Sequence, residues 1–312
     1  MAKSKAALYR EYLKEPGLLV SPGVYDGYSA KLAEQAGFKV ISTTGAGISN
    51  AFFGQPDIGL MSLMENVDIC RMLVRSVNIP VTADAESGYG NVVSVYHAIE
   101  YFEEAGIVGV NLEDQGEGKR CGHMEGKQVV DTPYMCKKIE AACKARKDED
   151  FLIIARTDAI AVEGIDSAVY RLQEYVKAGA AMVFADAVET EDQIKKIVDN
   201  VDAPLSVNMG FAIRSRPTTP LIPFTRLEEL GVKRVSLARM LPAAAIMGMK
   251  LALEQMQEVL KTGEMVDRKD LLVGIEDIME LMNYPKIRGI EKEFMLDEEF
   301  ERRFKKPKAA AE

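Results

Sequence analysis

The stretch Lys119-Arg120-Cys121-Gly122-His123 sets one thiol among cationic side chains, with glycines on either side. Neighbouring cations favour the thiolate, and the glycines let the segment move. An ionisable acid on a mobile loop is what an enzyme uses to hand a proton to an intermediate and then release product. Lys119, Cys121 and His123 are therefore candidate catalytic residues. The plainer alternative for Cys121 is an ordinary surface-loop cysteine.

A second group of chemistry-bearing residues lies just beyond short apolar runs. Asp84 and Glu86 follow Pro80-Val81-Thr82-Ala83, Glu113-Asp114 follows Asn111-Leu112, and Arg156-Thr157-Asp158 follows Ala155. Asp186 and Asn208 end two further runs, and Asp57 lies in the segment after the second. Carboxylates that converge repel one another unless a cation sits among them. Oxygen donors with no histidine or thiolate pair suit Mg2+ or Mn2+. Asp84 is the expected direct ligand, with Asp57, Glu86 and Glu113 reaching the ion through water. Taken singly, each acid reads equally well as a helix N-cap or turn residue.

Arg156 at a strand end needs an acid beside it or a substrate carboxylate, and its planar fork suits both. Glu113 and Asp186 are the acids within reach of such a pairing. Thr43-Thr44-Gly45-Ala46-Gly47 offers small residues whose free N–H groups form a nest for a carboxylate, or else a tight strand-to-helix turn. Thr44, Gly45, Ala46, Arg156, Asp186 and Asn208 are thus candidate substrate contacts. Cys70, Cys136, Cys143 and His97 fall in amphipathic helical patterns and read as packing or structural residues.

These residues need a frame that brings strand ends together. Apolar, often β-branched runs at 18–21, 39–43, 80–84, 109–113, 151–156, 182–186, 205–208 and 234–238 alternate with segments of helical period. Helix-ending glycines precede several of them: Gly37, Gly106, Gly179 and Gly231. Strand–helix alternation implies parallel pairing, and eight strands close a (β/α)8 TIM-type barrel, whose functional residues gather at the C-terminal strand ends. An open doubly wound sheet is the alternative, but Gly45-Ala46-Gly47 lacks the third glycine of a dinucleotide fingerprint. No Gly/Ser/Pro-rich linker divides 18–250, so residues 1–312 read as a single barrel domain. A helical extension follows over 242–306, and 305–312 reads as a short disordered tail. Ile287, Ile290, Phe294, Phe300 and Phe304 form an apolar stripe in that extension. It packs either on the barrel's own helices or on another subunit.

The chain has 312 residues, 47% of them hydrophobic, enough for a large core. A net charge of -9 argues against an electrostatic nucleic-acid or anionic-membrane binder. Four cysteines with no CxxC pair exclude a disulfide framework and a structural zinc site. Neither a signal-peptide run nor a stretch of about 18 apolar residues is present. The expected protein is soluble, reduced and cytoplasmic, acting on a small anionic molecule.

The segments 84–90, 113–115, 119–123 and 155–158 resemble the isocitrate lyase / phosphoenolpyruvate mutase superfamily over roughly residues 10–260. The cysteine in the loop is specific to the lyase branch. The length excludes isocitrate lyase proper, and the chain is most similar to the smaller lyases, 2-methylisocitrate lyase and 2,3-dimethylmalate lyase. The resemblance implies a barrel whose final helix swaps between subunits, giving a homotetramer built as a dimer of dimers. It also implies a Mg2+-dependent retro-aldol cleavage of a 2-hydroxy di- or tricarboxylate, with pyruvate or glyoxylate as the 2-oxo product. In that scheme Cys121 protonates the second fragment, Thr44, Gly45 and Ala46 hold the 2-oxo acid carboxylate, Arg156 steadies developing negative charge, and closure of 117–127 excludes water.

The chain departs from the family pattern in places. Glu86 stands where the family has Asp, Thr44 replaces Ser, and Asp186 replaces the Glu frequent in methylisocitrate lyases. The segment 209–217 is longer than in methylisocitrate lyases. Its Arg214 and Arg216 either bind a second substrate carboxylate or lie in a solvated loop. These differences, with His123-Met124-Glu125-Gly126-Lys127, favour a 2-alkylmalate-type dicarboxylate. Hydrolysis or decarboxylation of oxaloacetate on the same site is the main alternative. Phosphonomutase chemistry and a non-catalytic binding barrel stand behind it.

Overall fold

The computed structural model describes residues 3–116, 118–120, 126–215 and 219–304. Among the described residues are eight strands: β1 (Leu19–Val24), β2 (Ile41–Thr43), β3 (Val81–Asp84), β4 (Gly109–Glu113), β5 (Leu152–Thr157), β6 (Met182–Ala185), β7 (Leu205–Asn208) and β8 (Arg234–Leu237). They pair in chain order, all parallel, and β8 hydrogen-bonds back to β1. That closure makes the (β/α)8 barrel and removes the open sheet from consideration.

The strand ends agree with the hydrophobic runs to within a few residues, except in β1. Pro22-Gly23 reads as a breaker, yet β1 runs through it to Val24, with Pro22 in register with Leu237. Gly23 is required there by a close approach. A Cβ at this position would lie 2.6 Å from the Ala238 Cα.

The helices form where apolar residues recur every three or four positions. Helix Val92–Glu104 turns Val95, Ala98, Ile99 and Phe102 inward, and the Asn91 side chain accepts from the Val93 and Ser94 N–H groups at its start. His97 lies on the outer side of this helix, 2.9 Å from Glu100 Oε2. Helix Leu63–Ser76 starts with a reciprocal Ser62–Glu65 capping box. Its Cys70 thiol is buried against Asn66, and burial pushes its pKa up to about 12. Cys70, Cys136 and Cys143 are all free, as packing residues would be.

The N-terminal end of the barrel is stoppered by helix Lys5–Lys14. Its Ala6 and Tyr9 are buried against Leu19, Val40, Val108, Leu152 and Met182, which stand at or just before the starts of their strands. Arg234 is fully buried inside the barrel and donates to Ser42 Oγ (2.5 Å) and Asn111 Oδ1 (3.4 Å).

The chain divides into two compact units, Met1–Ile246 and Met247–Glu312. The first holds the barrel. The boundary expected at 242 falls inside helix Met240–Thr262, whose first residues belong with the barrel unit. In the second unit, Phe300 and Phe304 face the Arg288 guanidinium, with ring centroids 4.9 and 3.2 Å from it. Ile287, Ile290 and Phe294 are exposed in the single chain. The expected tail, 305–312, lies outside the described residues. Among the described residues no helix is long and apolar enough to cross a membrane.

Candidate active site

The C-terminal ends of the strands meet at one mouth. Thr44, Ala46, Asp57, Asp84, Lys119, Arg156, Asp186 and Asn208 line a single cavity there. Asp84, Glu113 and Asn208 are the last residues of β3, β4 and β7. Their side chains therefore reach the mouth directly from rigid backbone.

Thr44 does not form a free-standing nest. It caps helix Gly45–Phe53, its Oγ1 accepting from the Gly47 N–H at 3.2 Å. The mouth thus faces the positive end of a helix, a setting suited to a carboxylate. Gly45 allows that end to come close. A Cβ there would lie 2.6 Å from Asp84 Oδ2 and 3.0 Å from Glu86 Oε1.

Asp84 is held on every side but one. Its N–H donates to Thr43 Oγ1 (3.0 Å), its carbonyl accepts from Asn66 Nδ2 (2.8 Å), and its Oδ1 accepts from the Glu86 N–H (3.2 Å). Glu86 adopts a left-handed backbone with φ of 53°, uncommon for a residue with a side chain and frequent where sites store strain. Burial pushes the Glu86 pKa up to about 7, against the pull of Lys119.

Lys119 reaches in among these acids. Its Nζ lies 2.7 Å from Asp57 Oδ1 and 2.5 Å from Glu86 Oε2. Burial disfavours the charge, but Glu113, Glu86, Asp84 and Asp57 together lift the Lys119 pKa well above lysine's ordinary value. The ammonium is the cation these acids share.

Arg156 takes up the acids on the other side. It forks onto Asp158 through Nε (2.9 Å) and Nη2 (3.0 Å), and it reaches Asp186 Oδ2 (3.0 Å) and Glu113 Oε2 (3.3 Å). Its guanidinium also lies over the Phe184 ring. Glu113 and Asp186 are the partners expected for it. Asp158 is not among them, although it lies two residues away in the same motif. Asn208 Nδ2 donates to Asp186 Oδ1 at 3.2 Å. Burial pushes Glu113 well above the ordinary carboxylate range, and its Oε1 lacks a partner among the described residues.

The base of the cysteine loop is pinned. Val130 N–H donates to Asp114 O (2.8 Å), and Gly116 N–H donates to Gln128 O (3.0 Å). The Gln115 amide brackets Arg120, accepting from its N–H (3.0 Å) and donating to its carbonyl (2.8 Å). Asp114 accepts from Thr157 Oγ1 (2.6 Å) and Tyr175 OH (2.8 Å), and Arg171 donates to Val130 O at 2.7 Å. Lys127 returns to the site through Asp158 Oδ1, at 3.2 Å. Residues 117 and 121–125 lie outside the described residues, and with them Cys121 and His123. Arg214 is exposed, and Arg216 too lies outside the described residues.

A divalent cation fits this donor set. The ligands on offer are carboxylate oxygens, Glu113 Oε1 is buried without a partner among the described residues, and Gly45 leaves open the approach to Asp84 Oδ2. Among the described residues no three acid, thiol or imidazole groups are already gathered round one point, because Lys119 draws Asp57 and Glu86 to itself.

A family profile described as phosphoenolpyruvate phosphomutase matches residues 9–257. The chain belongs to the PEP mutase/isocitrate lyase superfamily. Within that family it is 36% identical over 287 residues to the 2,3-dimethylmalate lyase of Eubacterium barkeri, covering 92% of this chain and 96% of that one. It is 35% identical over 291 residues to the 2-methylisocitrate lyase of Aeropyrum pernix, covering 89% and 91%. Among solved structures it is similar to oxaloacetate acetylhydrolase in complex with 3,3-difluorooxalacetate, with a TM-score of 0.85, 28% identity, and coverage of 93% and 97%. It is also similar to phosphonopyruvate hydrolase in complex with oxalate and Mg2+, with a TM-score of 0.81, 27% identity, and coverage of 94% and 100%. The resemblance noted in the motifs thus extends along most of the chain.

Proposed function

We propose that this chain is a Mg2+-dependent carbon–carbon lyase, with Mn2+ able to serve, that cleaves a 2-hydroxy di- or tricarboxylate to pyruvate and a second carboxylate. The preferred substrate is of the 2,3-dimethylmalate type, with 2-methylisocitrate next. One observation carries the reading. The acids Asp57 and Asp84, a helix N-terminus at Thr44–Ala46, and Arg156 all converge on one cavity at the barrel mouth, with Glu86 joined to Asp57 through Lys119.

Asp84 would hold the metal, with Asp57, Glu86 and Glu113 around it, and the ion would supply a Lewis acid for the 2-hydroxy-acid head. The N–H groups at Gly45 and Ala46 bind the carboxylate of the 2-oxo product. Arg156, held by Asp158 and Asp186, faces the negative charge that develops as the carbon–carbon bond breaks. Loss of the substrate hydroxyl proton sends the bonding electrons to the departing carbon. Cys121 delivers a proton to that carbon, and Lys119 and His123 of the same motif are the further candidate catalytic residues. Asp186 and Asn208 complete the wall on the β6–β7 side.

The same reading gives a homotetramer of helix-swapped dimers. The exposed Ile287, Ile290 and Phe294 support it, and light scattering after gel filtration tests it. Conversion of oxaloacetate is the second reading, supported by the likeness to oxaloacetate acetylhydrolase. The deciding assay is 2-oxo acid release with Mg2+ from 2,3-dimethylmalate, 2-methylisocitrate, isocitrate and oxaloacetate in parallel. Pyruvate from either of the first two, lost in Cys121→Ser, is the expected result. Consumption of oxaloacetate alone, with oxalate appearing, would replace the lyase by a hydrolase.

A further inference from the structure

A second cavity lies beside the mouth, behind Glu86 and Lys119. Its far wall is the first two turns of helix Thr132–Ala145, where Tyr134 and Lys138 stand one turn apart. Lys138 is only 4% exposed. Its ammonium donates to Ser87 O at 2.9 Å and lies 5.3 Å from the centre of the Tyr134 ring. Among the described residues, no carboxylate comes within ion-pair distance of it, and Ser87 O is its sole acceptor. An ammonium has three N–H donors. Burial disfavours this charge and Glu113 supports it only from beyond contact, so a buried ammonium with donors to spare favours an anion beside it.

We propose that this chamber is a second binding site, for a small singly charged carboxylate. The two spare N–H groups of Lys138 match the two oxygens of one carboxylate. Met61, Tyr89 and Tyr134 offer apolar surface to a short alkyl chain. A phosphate dianion fits poorly, because Glu86 lines the same chamber and, of its two lysines, Lys119 is already paired with Asp57 and Glu86. The site is distinct from the mouth, since neither Arg156 nor the helix at Thr44 borders it. It does not rest on the lyase reading, because a protein that turned over nothing would still bind the acid. Lys119 borders both cavities, so an occupant of the chamber lies beside the side chain that joins Asp57 to Glu86.

The test is titration of the full-length protein with carboxyl-labelled propionate, followed by NMR, with transfer of magnetisation from the propionate chain to aromatic protons. Saturable binding with contacts to Tyr134 is expected. The binding that shows Tyr134 contacts should weaken at least tenfold in Lys138→Met, about threefold in Tyr134→Leu, and stay unchanged in Arg156→Met, whereas propionate bound as a product at the mouth shows no Tyr134 contact. If Lys138→Met fails to fold, the exposed Tyr134 position and the propionate contacts decide. No saturable binding, or binding abolished by Arg156→Met and kept by Lys138→Met, would overturn the site.

Discussion

Lys119 Nζ lies 2.7 Å from Asp57 Oδ1, joining two residues 62 positions apart in the chain. The same ammonium touches Glu86, so a side chain from the cysteine loop is the counter-charge of the acid cluster. Lys119→Met should destabilise the metal-free protein by about 3 kcal/mol, the usual cost of leaving buried carboxylates unpaired. Mg2+ should restore much of that loss and should bind more tightly than in the unaltered protein. Thermal unfolding with and without Mg2+, beside calorimetric titration, checks both. Weaker Mg2+ binding would mean that Lys119 does not compete for the acids.

Glu86 gives the pH dependence a sign. Its pKa is about 7 in the folded protein, against an ordinary value of 4.5, and burial is the leading cause. Between those values the folded protein keeps a proton that the unfolded chain has released. Stability of the metal-free protein should therefore fall as pH rises from about 4.5 to about 7 and level off above. Glu86→Gln should flatten that slope. Urea unfolding at pH 5, 6, 7 and 8 with a chelator present measures it, and an unchanged slope would place the proton elsewhere.

Arg156 makes contacts that an ammonium cannot copy. Its fork onto Asp158 and its reach to Asp186 use several N–H groups at once. Arg156→Lys should keep the fold but lower kcat by roughly 100-fold or more, as removal of one charge-stabilising donor does. Steady-state kinetics would show it, and a tenfold loss or less would reduce Arg156 to a positioning role.

Gly45 is a position where one added methyl group would press directly on a proposed metal ligand. Its Cβ would meet Asp84 Oδ2 at 2.6 Å. Gly45→Ala should cost about 1–3 kcal/mol by overpacking, and should weaken Mg2+ binding more than it weakens folding. A matched pair of unfolding and Mg2+ titration curves separates the two effects.

Cys121→Ser should abolish most cleavage while leaving Mg2+ and product binding nearly intact. Asp84→Ala should lose activity together with its Mg2+ dependence. Normal turnover in the first variant would remove the acid role. Unchanged metal affinity in the second would move the ligand elsewhere.

The barrel is legible because the strands are short, largely apolar runs between helical patterns, and several of them end in a polar residue. That ending put Asp84, Glu113 and Asn208 at the mouth before any geometry was known. Partnerships were less legible. Lys119 reads as a neighbour of Cys121, since sequence shows only local order, yet the loop's path carries it to Asp57. The sequence assigns Asp158 no role, because a residue just past a strand end points wherever the following turn sends it. For Thr44 the sequence leaves a nest and a strand-to-helix turn open, and the structure shows the helix cap. Whether such a segment is a nest or a helix cap depends on the backbone of the next turn. The cation Lys138 went unnoticed, since a lysine on an amphipathic helix ordinarily faces water.

The stopper at the strand starts has a consequence for traffic. With Ala6 and Tyr9 closing the floor and Arg234 packed in the interior, the cavity at the strand ends is approached from the mouth side. Whatever enters first and lies deepest must leave last. On the proposed lyase reading, a fragment held against Asp84 and the helix start at Gly45 would leave only after the outer fragment, and the outer product should inhibit differently from the inner one.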